Sequence, residues 1–224
     1  MIGEEGEVFL IDKELNWTSF DVVSKIRNTL KIKKVGHAGT LDPLATGLLI
    51  VCAGKKTKQI NLFQGLKKEY TGIIEVGKTT PSFDLETEFD SETDYLFLNE
   101  DFIKDSAIKF TGDFLQVPPL FSAVKIKGRR AYDFARKGEV AKIEAKPVNV
   151  ELFEITRFNI PELHFRLVCS KGFYVRSLAR DFGVQLGTGA YLKALRREKI
   201  GDFSVDNAMK IDEFTGKYRR PDPA

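Results

Sequence analysis

The sequence predicts an α+β fold, and three observations carry that expectation. Of its 224 residues 42% are hydrophobic and 30% charged, the balance of a chain that buries a core rather than staying disordered. Segments with strand alternation and segments with helical spacing follow one another without a regular βαβ rhythm. No internal repeat and no low-complexity linker interrupts the chain, so a single domain over 1–224 is expected.

The elements follow in order. Residues 8–11 alternate as a short strand. Val22, Val23, Ile26 and Leu30 recur at helical spacing behind Ser19, a plausible cap. Residues 35–47 form a loop with glycines at three places and a proline, before a buried strand at 48–52 and a short helix at 57–63. A strand at 70–76 leads into an acidic, turn-rich segment and a helix at 99–110. Residues 116–146 are polar and basic, helical only near 130–137. Two strands, 148–158 and 163–169, flank a turn at 159–162. Helices at 174–186 and 191–197 close the pattern, with Gly187 and Gly189 breaking between them.

Several classes are excluded by composition. The longest apolar run, 48–53, is too short for a membrane span. The acidic N-terminus lacks the basic and apolar regions of a signal peptide, and only two cysteines, Cys52 and Cys169, are present; a cytoplasmic protein is expected. Cys52, Cys169, His37 and His164 show no metal-ligand spacing, so no metal is expected, and His164 and both cysteines read as structural. Net charge is only +3, but residues 84–105 hold nine acids against Lys104 alone, leaving 34 basic and 23 acidic residues elsewhere, a balance of +11. The basic residues gather in five knots: 31–34, 55–58, 67–68, 125–130 and 193–199. Any one is an ordinary solvated surface; together they favour a polyanionic partner such as nucleic acid.

Residues 72–79, Gly-Ile-Ile-Glu-Val-Gly-Lys-Thr, satisfy the pattern of a phosphate-binding loop. That loop must open a helix, whereas the intervening residues here are strand-like and Pro81 follows. A strand ending in a turn is the expectation.

The loop His37-Ala38-Gly39-Thr40-Leu41-Asp42-Pro43-Leu44-Ala45-Thr46-Gly47 places one carboxylate among small and apolar neighbours. Glycines admit a close ligand and Pro43 fixes the chain after the acid, although an aspartate before a proline is by itself only a turn former. This stretch resembles the signature of the bacterial tRNA pseudouridine-55 synthases. The resemblance continues through Lys68-Glu69-Tyr70, residues 77–84, the segment 116–138, Cys169 to Leu178 and Leu195-Arg196-Arg197. Departures are Phe173, where the family usually has threonine, and Ile50, often proline. The chain also stops too early for the C-terminal RNA-binding PUA domain of larger members.

The resemblance implies a pseudouridine synthase fold: a mixed, mostly antiparallel central sheet flanked by helices, with a catalytic cleft and an RNA-gripping insertion at about 116–146. It implies isomerisation of uridine-55 in the T-loop of tRNA, on a base flipped out of its stack, with Asp42 as nucleophile. Tyr70 would stack on the flipped base, and Arg176 would serve as the counter-ion of Asp42. His37 would contact a displaced loop base, Tyr174 and Leu195 would wall the uracil pocket, and Lys125, Arg129 and Arg130 would grip the RNA. Read without the resemblance, Tyr70, Tyr174 and Leu195 are core residues and His37 a turn histidine. No cofactor, membrane, guide RNA or obligate protein partner is implied, and a monomer is expected. The basic knots alone equally suit a non-catalytic RNA-binding protein, and the carboxylate alone a hydrolytic nucleosidase.

Overall fold

Hydrophobic patterning builds the first half of the chain around one strand buried on both faces. In the computed structural model residues 5–219 are described, apart from 123, 127, 138 and 140; of Arg130 only the backbone is described. The acidic first residues, Lys127, the Arg130 side chain and the end of the tail therefore lie outside the described residues. Among the described residues no helix is long and apolar enough to cross a membrane.

Strand β1 (Glu7–Lys13) is followed by helix α1 (Ser19–Leu30), β2 (Val35–His37), β3 (Ala45–Ala53), a 3-10 helix (Gly54–Gln59), α2 (Ile60–Gly65) and β4 (Lys68–Val76). Next come β5 (Lys78–Thr79), β6 (Ser91–Glu92), α3 (Glu100–Ile108), β7 (Gly112–Gln116), β8 (Lys125–Ile126), β9 (Arg129–Arg130) and α4 (Ala131–Ala135). The long strands β10 (Lys146–Asn159) and β11 (Glu162–Cys169) precede α5 (Val175–Leu186), β12 (Ala190–Ile200), β13 (Phe203–Ser204), β14 (Met209–Lys210) and α6 (Ile211–Tyr218). The chain forms two compact units, Met1–Tyr70 with Leu195–Ala224, and Thr71–Ala194. It passes between them inside β4 and β12, in mid-strand, so no linker composition marks the boundary.

In the first unit β3 pairs antiparallel with β1, from Glu7 opposite Ala53 to Lys13 opposite Gly47, and β14 lies parallel to β1. Leu49, Val51 and Ala53 face Phe9, Ile11, the apolar stripe of α1 and Ile211 and Phe214 of α6. Leu48, Ile50 and Cys52 face Ala38, Ile200 and Val205. Each such aliphatic side chain contributes about 1.5–3 kcal/mol by leaving water. The cap of α1 is Thr18 rather than Ser19: its hydroxyl accepts from the Asp21 amide while the Asp21 carboxylate accepts from the Thr18 amide. Ser19 is thereby left for another task. The short helix expected at 57–63 is divided between the 3-10 helix and α2.

In the second unit β10 pairs with β11 and with β7, both antiparallel. Phe153 meets Phe165 and Phe182 edge to face, and Phe182 meets Phe110, a cluster that packs α5 on the sheet. The strand β4 ends at Val76, and Lys78 and Thr79 pair with β6, so the phosphate-loop pattern is a strand and a turn, as its sequence indicates. The expected helix at 191–197 is instead β12. Its Leu-Lys-Ala-Leu-Arg-Arg run favours helix locally, but Leu195, Arg196 and Arg197 pair parallel with Ala45, Thr46 and Gly47, and tertiary pairing overrides propensity.

Candidate active site

Asp42 lies half-buried in the loop between β2 and β3, and the backbone of that loop is fixed from four sides. The Ser19 hydroxyl accepts from the Leu41 amide at 2.9 Å and donates to the Leu41 carbonyl at 3.1 Å. The Asn16 amide donates to the Pro43 carbonyl at 2.9 Å, and the Lys13 ammonium reaches the same oxygen at 3.5 Å. Arg197, 1% exposed, donates from Nε to the Leu48 carbonyl at 2.7 Å, and from its two terminal nitrogens to Gly39 at 3.1 Å and Thr40 at 3.4 Å. Asp42 itself closes a turn, its carbonyl accepting from the Ala45 amide.

The glycines of this stretch have specific reasons. Gly47 stands at φ +102°, and a Cβ there would come within 2.3 Å of the Arg197 carbonyl oxygen, so only glycine lets β3 and β12 close up. Gly39 at φ +101° turns its carbonyl to the Arg197 guanidinium.

Two titrating groups share this environment. Lys13, 1% exposed, donates to the carbonyls of Glu14 and Trp17. Burial pushes its pKa down to about 8 and Arg197 pushes the same way, while the Asp42 carboxylate pulls it back up, so Lys13 keeps its charge at neutral pH. His37, on β2 opposite Val51, is held below the usual histidine value by burial first and by Arg197 second; the Gly39 carbonyl opposes both. His37 is therefore neutral at pH 7. Leu195, half-buried, pairs with Ala45 three residues from Asp42. Tyr70, 9% exposed, sits on β4 behind Lys68, whose ammonium donates to the Gln64 and Leu66 carbonyls at the end of α2. The first unit thus brings His37, Asp42 and Leu195 onto adjoining strands and the loop between them.

The second unit carries the other predicted residues. Arg176, in the first turn of α5, is buried with its Nε 3.5 Å from the Asp84 carboxylate and its terminal nitrogens donating to the Ser82 and Phe121 carbonyls. Tyr174 caps α5, and its amide and carbonyl both bond the Gln116 side chain, at 2.8 and 3.0 Å. Lys125 is exposed on the hairpin β8–β9, and exposed Arg129 beside it lies over Phe134 at 4.2 Å and 3.4 Å from Glu139. Among the described residues no three His, Cys, Asp or Glu side chains gather as a metal site.

The basic knot at 193–199, among those that favour a polyanionic partner, also carries internal ion pairs. Lys193 bonds Glu75 and Glu162 at 2.6 Å each, and these two carboxylates hold its pKa well above the usual lysine range. Arg196 grips Asp12 with two bonds, Lys199 lies 3.7 Å from Glu69, and Arg197 is buried against the Asp42 loop. Acids distant in sequence fold back on this strand, which charge counting along the chain does not see.

Comparison with known proteins decides the family. A model described as TruB family pseudouridylate synthase (N terminal domain) matches residues 27–175, two-thirds of the chain. The chain belongs to the TruB family of pseudouridylate synthases. A relative in this family from Flavobacterium johnsoniae, tRNA pseudouridine synthase B, is 51% identical over 217 residues, covering 94% of this chain and 95% of its own. Another of the same name from Phocaeicola vulgatus is 47% identical over 217 residues, with 94% and 92% covered. Among solved structures, a chain in the crystal structure of a Cbf5-Nop10-Gar1 complex is similar with a TM-score of 0.75 and 28% identity. It is covered over 55% of its length by 96% of this chain, which therefore spans about half of it. The α+β fold is accordingly that of the pseudouridine synthases. The TruB match contains His37, Asp42, Tyr70 and the 116–146 segment; Arg176 follows directly on its end, and Leu195 lies further along the chain.

Lys13, Ser19, Asp84 and Arg197 are the site residues that sequence reasoning did not single out. Lys13 carried a signal, a lysine in phase with Phe9 and Ile11 on the buried face of β1, where a cation needs a partner. Ser19 and Arg197 had competing readings, as a helix cap and as one of a basic knot.

Proposed function

We propose that this protein isomerises uridine-55 in the T-loop of tRNA to pseudouridine, with Asp42 as the nucleophile. The observation that carries the proposal is the Asp42 loop: a half-buried carboxylate on a backbone fixed by Ser19, Asn16, Lys13 and Arg197. A nucleophile needs a fixed approach to its target, and such a loop supplies it. Two relatives covered over more than nine-tenths of their length carry the name tRNA pseudouridine synthase B, which supports the same reading.

The isomerisation breaks the N-glycosidic bond, turns the uracil and rejoins it through C5; the C5 proton leaves and the freed N1 takes up a proton from water. Atoms and electrons balance without redox or phosphate transfer. Asp42 captures the electrophilic centre, at base C6 or ribose C1′, as a carboxylate does in glycosidases. Tyr70 stacks on the extruded base, Arg176 acts as the counter-ion of Asp42, and Tyr174 and Leu195 enclose the uracil. His37, held neutral, contacts the base displaced from the loop. Exposed Lys125 and Arg129, with Arg130, grip the T-arm phosphates. The enzyme works in the cytoplasm as a monomer, without guide RNA.

Incubating unmodified tRNA with the protein and mapping its pseudouridines is the test. Pseudouridine confined to position 55 is expected. Free uracil in the supernatant would make the protein a nucleosidase, and tight binding without turnover would make it an RNA-binding protein only.

A further inference from the structure

Two arginines four residues apart on α5 share one helix face and meet the same loop. Arg176 forms the inner rung with Asp84, and the side chains of both are only 7% exposed. One turn on, the Arg180 guanidinium lies over the ring of Phe83, 4.8 Å from its centroid. Arg180 also donates from Nε to Asp181 at 2.7 Å and from a terminal nitrogen to the Val117 carbonyl at 3.4 Å, so the plane is fixed, yet 26% of its side chain stays exposed.

Phe83 is unusual in its own right. Its φ is +65°, a left-handed backbone that glycine adopts freely and a bulky side chain does not. The loop holds it there. The Phe83 amide donates to the Thr80 carbonyl at 3.1 Å and its carbonyl accepts from the Leu192 amide at 2.8 Å. On the far side, the Thr80 and Ser82 hydroxyls both donate to the Asp84 carbonyl. A phenylalanine kept against its backbone preference, half-buried and under a cation that is itself about a quarter exposed, is a costly way to fill a turn. Strain of this kind collects where a ligand is held.

We propose that the Phe83–Arg180 rung is a stacking shelf for one nucleobase of the substrate RNA, beside the target uridine. The inference rests on the function proposed above and names a contact for it. A guanidinium over an aromatic ring presents a cationic, π-bearing surface, the chemistry on which unpaired bases stack. In the function proposed above Arg176 and Tyr174 meet the target uridine, and the shelf lies one turn of α5 from Arg176 and next to Asp84 in sequence, so the base it takes is a neighbour of that uridine.

The test uses the full chain and a T-arm stem–loop carrying 2-aminopurine at one or other nucleotide flanking the target. Phe83→Gly removes the ring and suits the left-handed backbone; Arg180→Gln removes the cation and leaves the backbone alone; Phe83→Tyr restores an aromatic face. Glycine and glutamine variants should bind about 5- to 150-fold more weakly, the loss expected for one base stack. Quenching of 2-aminopurine at one flanking position should be present with the wild type and Phe83→Tyr and absent with Phe83→Gly. Affinities within twofold of wild type for both variants, with unchanged quenching at both positions, would overturn the shelf while wild-type isomerisation stands. A wild type that binds the stem–loop but never isomerises it would overturn the function instead.

Discussion

Replacing Arg197 by methionine tests how the Asp42 loop is held. Methionine fills most of the volume of the arginine stem but donates nothing, so the Leu48, Gly39 and Thr40 carbonyls lose their donor together. Each buried carbonyl left unsatisfied costs about 1–3 kcal/mol. The two shorter bonds therefore set a gross loss of about 2–6 kcal/mol, and the 3.4 Å contact adds little. Against this, the change removes a buried cation that pushes Lys13 toward deprotonation, so a net loss of about 2–4 kcal/mol is expected. Arg197→Lys, with one point donor in place of a fork, should fall between the two. Urea unfolding reads the stability, and the turnover rate at saturating tRNA reads the loop, for which about a 10- to 100-fold fall is expected from a displaced nucleophile. A third readout is specific to the electrostatics. Arg197 helps hold the His37 pKa down, so the His37 ring should titrate at higher pH in Arg197→Met. A stability loss under about 0.5 kcal/mol with an unmoved His37 titration would refute the clamp.

Three further outcomes are expected. Arg176→Lys keeps the charge but cannot reproduce contacts to Asp84, Ser82 and Phe121 at once, and single-turnover assays should show most activity lost; a wild-type rate would remove Arg176 from the mechanism. Neutralising Lys125, Arg129 and Arg130 together should weaken tRNA binding and reduce the slope of log affinity against log salt by roughly two to three units, whereas an unchanged slope would move the RNA grip elsewhere. For His37 the folded pKa is depressed, so its contribution to stability is complete above the unfolded value of 6.5 and is lost as pH falls below it, because the unfolded chain then binds the proton first. The stability difference between wild type and His37→Gln should accordingly shrink on acidification below pH 6.5, and a difference independent of pH would contradict the burial argument.

What the sequence made legible was whatever local pattern alone decides. The alternation in β1, the apolar stripe of α1 and the hairpin of β10 and β11 follow from side-chain period, and the strand-and-turn at 72–79 follows from Pro81. The exception, β12, has a helix-forming run drawn into parallel pairing with β3, a contact between residues some 150 apart. The site divides in the same way. Asp42 stands out because glycines and a proline frame it, but its supports come from β1, α1 and β12, which no spacing along the chain connects. The ion pairs of the knot at 193–199 were hidden for the same reason, since its acidic partners Asp12, Glu69, Glu75 and Glu162 are scattered along the sequence.

The central claim is that the Asp42 carboxylate is the nucleophile, and tritium release from tRNA labelled at uracil C5 tests it most directly. Asp42→Asn keeps the size of the side chain and removes the nucleophilic charge, while affinity resting on phosphate contacts should stay largely intact. With tRNA bound and in single turnover, the wild type should release tritium at a measurable rate and Asp42→Asn none above background. Release by a verified Asp42→Asn protein near the wild-type rate would contradict the account.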